Sequence, residues 1–333
     1  MEIRMKARNR IPVRSFLVAA AGATALLGSP LQAQPFPSRP IEFNVHTSPG
    51  GGTDLFARTV TEILIREKAF PQAIVVANRP GGSGVIAFNH IKSKRGDPHV
   101  VLTMATGSFL TATVRKELDL GLEHFTPLAS FAIDPQVIAV AADSKFKNVK
   151  ELLEAGRKEP NTITASITSA TGTARLLLYV IERETGAKFK YVSFKSGSEA
   201  TTAVAGGHTQ FTPENLSEML GMVEGKKLRV LAVTGDKRLV AVPDAPTMKE
   251  LGYKVVVGTG RGFVMPAGMP KEALAAMEAA LKRVYDSAAW KDFAKRNNFE
   301  DNYQGSAEWG KSLARQQAEM VEFMAHISAP QKP

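Results

Sequence analysis

One loop chemistry occurs twice in this chain, thirty residues apart: Ser48-Pro49-Gly50-Gly51-Gly52-Thr53-Asp54 and Asn78-Arg79-Pro80-Gly81-Gly82-Ser83-Gly84. Each copy follows a short apolar run that reads as a strand (41–46 and 73–77), and each precedes a stretch with helical spacing. A glycine-rich strand-to-helix turn leaves backbone N–H groups uncovered at the positive end of a helix, which suits an anion. In open α/β sheets such turns lie beyond the carboxyl ends of the strands, where ligands bind. Two of them so close in sequence favour an α/β layout and point to a pocket for an anionic small molecule.

The alternation of strand and helix continues along the chain, as α/β layering requires. A helix is expected from about Thr53, with Phe56, Val60, Ile63 and Leu64 on one face and Pro71 ending the region. Residues 99–104 read as a buried strand, and 137–142 as another after a connection at 131–135. The stretch 146–155 looks helical and 161–166 extended. The run Ser166-Ile167-Thr168-Ser169-Ala170-Thr171-Gly172-Thr173 leads into an apolar helix at 176–181, and Ser196-Gly197-Ser198-Glu199 opens another after a strand at 191–194. Small hydroxylated residues cap helices, and any one such start needs no other role. Four of them together favour a pocket. Further on, 228–234 reads as a strand, 243–247 as the opening of a short helix closed by Gly252, and 255–257 and 262–265 as strands. The tail from Pro270 reads as helical, with Leu274, Met277, Leu281 and Val284 forming a core stripe. No low-complexity linker divides the chain, so two lobes would have to be joined by ordinary strands near 131–136 and 253–260.

The chain opens with an export signal: basic Arg4, Lys6, Arg8, Arg10 and Arg14, an apolar stretch over 16–27, and a small-residue cleavage site at Leu31-Gln32-Ala33. The alternative is an uncleaved N-terminal anchor. Removing the leader, which carries a charge of +4, lowers the formal +10 to +6 for the mature chain. That modest excess suits an acidic ligand or a membrane surface. The basic residues are dispersed and not interleaved with stacking aromatics, so nucleic acid is not an expected partner. There is no cysteine, which excludes disulfides, thiol catalysis, Cys-ligated metals and a lipoprotein anchor. Together these features imply the periplasm of a Gram-negative cell.

The residues then resemble a known family, the extracytoplasmic substrate-binding proteins of the tripartite tricarboxylate transporters, or Bug (Bordetella uptake gene) proteins. The resemblance begins at Phe36-Pro37-Ser38-Arg39-Pro40-Ile41. It runs through both glycine loops, Ala57-Arg58, Ala205-Gly206-Gly207 and Asn215 to Leu231-Ala232-Val233-Thr234-Gly235-Asp236-Lys237-Arg238. Pro243-Asp244-Ala245-Pro246-Thr247 and Pro266-Ala267-Gly268-Met269-Pro270 complete the series. It implies a two-lobed type II periplasmic-binding (Venus flytrap) α/β fold. Lobe one would comprise 34–135 and 255–333, and lobe two 136–254, after a signal peptide at 1–33. A carboxylate in the interlobe cleft would be delivered to a membrane permease by a receptor expected to be a monomer without cofactor.

The same resemblance places one ligand carboxylate between the two glycine loops. Ser48, Gly50, Gly51, Gly52, Thr53 and Asp54 come from the first, and Gly81, Gly82 and Ser83 from the second. Backbone N–H groups and ordered water can hold a carboxylate without a cation. The opposing lobe would contribute Thr168, Ser169, Thr171, Gly172 and Thr173, with Lys195 at a basic position of the family; a solvated surface lysine is the alternative. Glu214 aligns with an aspartate that contacts the ligand amine in amino-acid-binding relatives, but a carboxylate there would repel a second ligand carboxylate, and a structural or capping role competes. Arg261 stands where many members have an aromatic pair. It could grip the far carboxylate of a dianion, or form a surface ion pair.

Other classes fare worse. An enzyme is not expected: no Walker A loop, G-x-S-x-G elbow or H-E-x-x-H occurs, and His46, His90, His99, His124, His208 and His326 show no metal-ligand spacing. His46 ends the first strand beside the pocket loop, where it could touch ligand or simply pack. A membrane sensor kinase is the alternative partner to a permease. The binding component of an ATP-driven importer fits the glycine loops poorly.

Overall fold

The computed structural model describes residues 36–194 and 196–328. The expected leader and Lys195 lie outside the described residues. Within them, two lobes repeat one strand arrangement, and each lobe borrows a strand that arrives from the other.

In lobe one, β1 (Ile41–Val45) lies parallel between β2 (Ile74–Asn78) and β3 (Val100–Ala105). Next to β3 comes β9 (Gly258–Pro266), antiparallel, then β4 (Phe125–Ala141) and the edge strand β10 (Glu300–Gly305). In lobe two, β5 (Thr164–Ile167) lies parallel to β6 (Lys190–Ser193) and touches β7 (Thr212–Asn215) through an Ala165–Phe211 bridge. β7 and β8 (Leu228–Val233) then flank the far half of β4. The orders are therefore 2-1-3-9-4 and 6-5-7-4-8, with the crossing strand fourth in both.

Helices cover both faces of each sheet, as parallel strands buried on two sides require. α1 (Gly52–Arg66), α8 (Lys271–Asp286) and α9 (Ala288–Arg296) close one face of lobe one around Phe43, Phe56, Phe131, Phe263 and Trp290. The other face is closed by α2 (Val85–Ser93), α3 (Thr106–Val114) and α10 (Ser306–Ser328) around Phe88, Phe109, Trp309 and Phe323. Lobe two carries α4 (Val149–Lys158) and α5 (Thr173–Thr185) over Ile138, Leu178, Phe189 and Phe211. α6 (Gly197–Ala205) and α7 (Leu220–Glu224) cover the opposite side over Val137, Val204 and Leu216. Phe56, Val60, Ile63 and Leu64 are all buried, as the spacing of α1 predicts. The opening phrase docks through His99, whose Nε2 accepts from the Ser38 N–H at 3.1 Å while Nδ1 faces Asp97 Oδ1 at 3.2 Å.

Four expectations are corrected. The connection expected at 131–135 is the middle of β4, a single strand of 17 residues. Pro135 is tolerated because the ladder changes partners there: Pro135 opposes Gly258 of β9, while Gln136 already opposes Asn215 of β7. The short helix expected from Pro243 is a set of turns. Thr247 and Glu250 do cap each other reciprocally, but Gly252 adopts φ +87° five residues later, before a helix can propagate. Residues 255–257 approach β9 without strand pairing. The tail contains β10, whose sequence Glu-Asp-Asn-Tyr-Gln-Gly has no apolar alternation because it is a polar edge strand.

Candidate ligand-binding site

The first glycine loop is shaped by one carboxylate. Asp54 is 1 % exposed and accepts from the Gly50 N–H (2.9 Å), Arg58 Nε (2.9 Å) and Asn78 Nδ2 (2.8 Å). Burial pushes its pKa up, but these partners outweigh that and hold it below the usual carboxylate value. Its oxygens serve the scaffold, fixing Gly50 at φ +83° and tying the first loop to the start of the second. Ser48 and Gly50 remain exposed, Gly51 and Gly52 half-buried, and Thr53 is buried.

In the second loop Gly81, Gly82, Ser83 and Gly84 all have positive φ (127°, 56°, 55° and 99°). A Cβ on Gly84 would stand 2.5 Å from Phe88 Cζ and 3.2 Å from His46 Cδ2, so α2 can start this close to β1 only with glycine there. Gly81, Gly82 and Ser83 stay exposed at the loop tip.

Across the cleft, the β5–α5 loop is organised by Glu214. Its Oε1 accepts from the Thr168 N–H at 2.5 Å and from the Thr168 hydroxyl. The Thr171 N–H donates to Ser169 Oγ at 3.3 Å, and the Thr171 carbonyl accepts from Thr111 Oγ1 of α3 at 2.5 Å. Gly172 caps α5, and Thr173 begins it. Thr173 packs against Gly107 so closely that a Cβ there would lie 2.1 Å from Thr173 Oγ1. The Ser83 and Ser169 hydroxyls meet at 3.4 Å. The loops that precede α2 and α5 thus touch each other.

Arg261 lies beneath, on β9, and is 2 % exposed. It forms no surface ion pair. Nη2 donates to Asp134 Oδ2 at 2.5 Å and Nη1 to Thr53 Oγ1 at 2.9 Å, linking both crossing strands to the start of α1. Asp134 also accepts from Ser217 Oγ at 2.8 Å, and the Asn215 amide donates to its carbonyl at 2.9 Å. Arg261 Nε and Asp134 Oδ1 have no partner among the described residues. Burial raises the Asp134 pKa despite the arginine. His46 packs on Phe88, 5.5 Å between ring centres, and its Nδ1 is unpartnered among the described residues. Burial and then the Arg261 charge lower its pKa to about 4, so it is neutral at pH 7. Burial and then the charge of Glu218 push Glu214 up to about 8. Glu218, one turn on, is raised as well, by burial above all.

Pairwise contacts thus link Asp54 to Asn78, Ser83 to Ser169, Thr168 to Glu214, Thr171 to Thr111, Thr173 to Gly107 and Arg261 to Thr53, with Gly172 capping α5 and Ser48 and Gly81 at exposed loop tips. Sequence reasoning missed Asp134, Ser217, Glu218, Thr106 and Thr111. The one available signal was an acid standing alone in the apolar run 128–141. Thr106 was hidden because its task is to accept the Gly260 N–H at 2.9 Å, a contact no local pattern encodes. Backbone donors, small hydroxyls and one arginine suit a carboxylate held by hydrogen bonds.

Comparison with known proteins agrees. The model of the tripartite tricarboxylate transporter family receptor matches residues 56–327. A relative from Bordetella bronchiseptica is 30% identical over 295 residues, covering 88% of this chain and 86% of its own. BugT of Bordetella pertussis is 27% identical over 274 residues, 80% of this chain and 82% of its own. Among solved structures, a TctC solute-binding protein from Polaromonas superposes with a TM-score of 0.70 at 28% identity, covering 87% of this chain and 99% of that one. Two proteins of Rhodopseudomonas palustris share the fold. MatC, solved with malate, has a TM-score of 0.78 at 19% identity over 86% of this chain and 99% of its own. A second, solved with adipate, has 0.77 at 22% over 88% and 97%. This chain belongs to the tripartite tricarboxylate transporter receptor (TctC, or Bug) family of periplasmic solute-binding proteins.

Proposed function

We propose that this protein captures an organic carboxylate between its two lobes in the periplasm and delivers it, closed, to a membrane permease of the tripartite tricarboxylate type. The observation that supports the reading is the contact between the loops that open α2 and α5, where the Ser83 and Ser169 hydroxyls meet at 3.4 Å, together with Arg261 donating to Thr53 at the start of α1. Helix starts offer N–H groups and a positive dipole end to an anion, while the Arg261 charge is paired with Asp134 and braces Thr53 at the start of α1. The malate and adipate found in the two R. palustris relatives support the ligand class. Lobe limits of 34–135 with 255–333, and 136–254, and a leader cleaved after Ala33, complete the proposal. The ligand-contact set is the two glycine loops, the Thr168–Thr173 loop, Glu214, Lys195 and Arg261.

Thermal unfolding of the secreted, processed protein against mono-, di- and tricarboxylates, aromatic acids and acidic amino acids tests this. A ligand at 100 times its Kd adds about 2.7 kcal/mol, enough to raise Tm by several degrees. A dianion-specific shift is expected. A panel without any shift, from protein shown to be folded and ligand-free, overturns the reading.

A further inference from the structure

Glu218 occupies a place that no resemblance assigned. It follows β7 on the lobe-two side and directs its carboxylate to the starts of two helices in different lobes. Gly52 is the first residue of α1 and Gly197 the first of α6. A Cβ built on Gly52 would lie 2.8 Å from Arg261 Nη2 and 3.0 Å from Glu218 Oε1, and one on Gly197 only 1.6 Å from Oε2, so the carboxylate fills the room at Gly197 and shares with Arg261 the room at Gly52. Burial is the largest influence on Glu218 and raises its pKa, against which the backbone N–H groups of Gly197 and Gly52 favour the charged form. Arg261 also faces it attractively, whereas Asp134 opposes it. Beside it lies a cavity of about 120 Å³ lined by Gly50, Leu55, Ser198 and Asn297, among others.

A carboxylate between two helix starts of opposite lobes is what an anionic ligand would supply. We propose that Glu218 is an internal carboxylate that fastens the lobes together without ligand, and that it sets specificity by holding the start of α1 against incoming anions. A ligand carboxylate reaches Gly52 only by displacing Glu218 into the adjoining cavity. The ligand-displacement half of this rests on the carboxylate-receptor reading above; the fastening half does not.

The absence of cysteine makes the test direct. Single cysteines replace Glu62 on α1 and Glu154 on α4, both exposed, and carry a distance-reporting label pair. Ligand is stripped by unfolding and refolding. With no carboxylate added, the wild type is expected to be predominantly closed. Glu218→Gln removes the charge, and Glu218→Asp keeps it but shortens the reach by a methylene. Both should lower the closed-to-open ratio about tenfold, equivalent to about 1.4 kcal/mol. Gly197→Ala reaches the same end without touching Glu218, because its methyl takes the place of Oε2. Circular dichroism checks that each variant is folded. An unchanged distance distribution in folded Glu218→Gln and Gly197→Ala overturns the proposal. Adipate is the ligand probe: closing Glu218→Gln at about tenfold lower concentration than needed to saturate the wild type supports displacement, and equal concentrations overturn it. If adipate binds neither protein, the receptor reading loses that ligand, while the ligand-free distances still decide the fastening.

Discussion

Arg261 and Asp134 show how much of this cleft depends on a pair that must be kept whole. Both are buried, and the arginine also holds Thr53. Removing one partner of such a pair leaves an uncompensated charge, at about 3–5 kcal/mol. Arg261→Ala should therefore lower unfolding free energy by that amount in urea titration, and the joint change Arg261→Met with Asp134→Leu should recover most of it. The titrating groups nearby have opposite linkage. The unfolded chain protonates His46 near 6.5 and the folded protein near 4, so stability present above 6.5 is lost as pH falls through that window. Glu214 behaves in reverse: the folded protein keeps its proton up to about 8 while the unfolded chain releases it near 4.5, so stability declines as pH rises between those values. The raised pKa values of Asp134 and Glu218 act in the same direction as Glu214. The expected profile is opposed slopes below pH 6.5 and a fall of several degrees in Tm from pH 6.5 to about 8.5. Glu214→Gln, which keeps an acceptor for Thr168, should flatten that upper fall in a series of calorimetric scans.

At the scale of elements, the loop before α2 carries backbone strain at consecutive positive-φ residues. Gly84 at φ +99° has neither the conformational freedom nor the room for a side chain. Gly84→Ala should cost about 1–3 kcal/mol and weaken carboxylate binding through the misplaced start of α2, read by parallel urea and ligand titrations. Gly107 presents a different case, because its φ is ordinary and its lack of a side chain serves contact between α3 and α5. Gly107→Ala places a methyl where Thr173 Oγ1 now lies. It should hold the lobes apart, lengthening the labelled Glu62-to-Glu154 distance and weakening ligand binding several-fold. Unfolding free energy should change by less than about 1 kcal/mol, since no core contact is lost. Helices α1, α5 and α6 were readable from spacing and small-residue starts. β10 and the turns at 243–252 were not, since the first has no apolar alternation and the second is a helix signal stopped by Gly252.

At the scale of the whole molecule, the same strand order appears in both lobes: β4 runs from the lobe-one sheet into the lobe-two sheet, while β9, reached from lobe two, pairs only in lobe one, between β3 and β4. β4 changes ladder partners between Pro135 and Gln136. By itself, the sequence determined the α/β class, the two glycine loops with their helices, the absence of cysteine chemistry and the family. Each of these is written in local residue order, where period, turn chemistry and motif act over a few residues. Tertiary structure alone decided that Asp54 braces the loop it belongs to, that Arg261 is buried against Asp134, 127 positions away in the chain, and that Glu218 spans two helix starts. Burial and charge pairing depend on which surfaces the fold brings within a few ångströms, and no local pattern carries that distance.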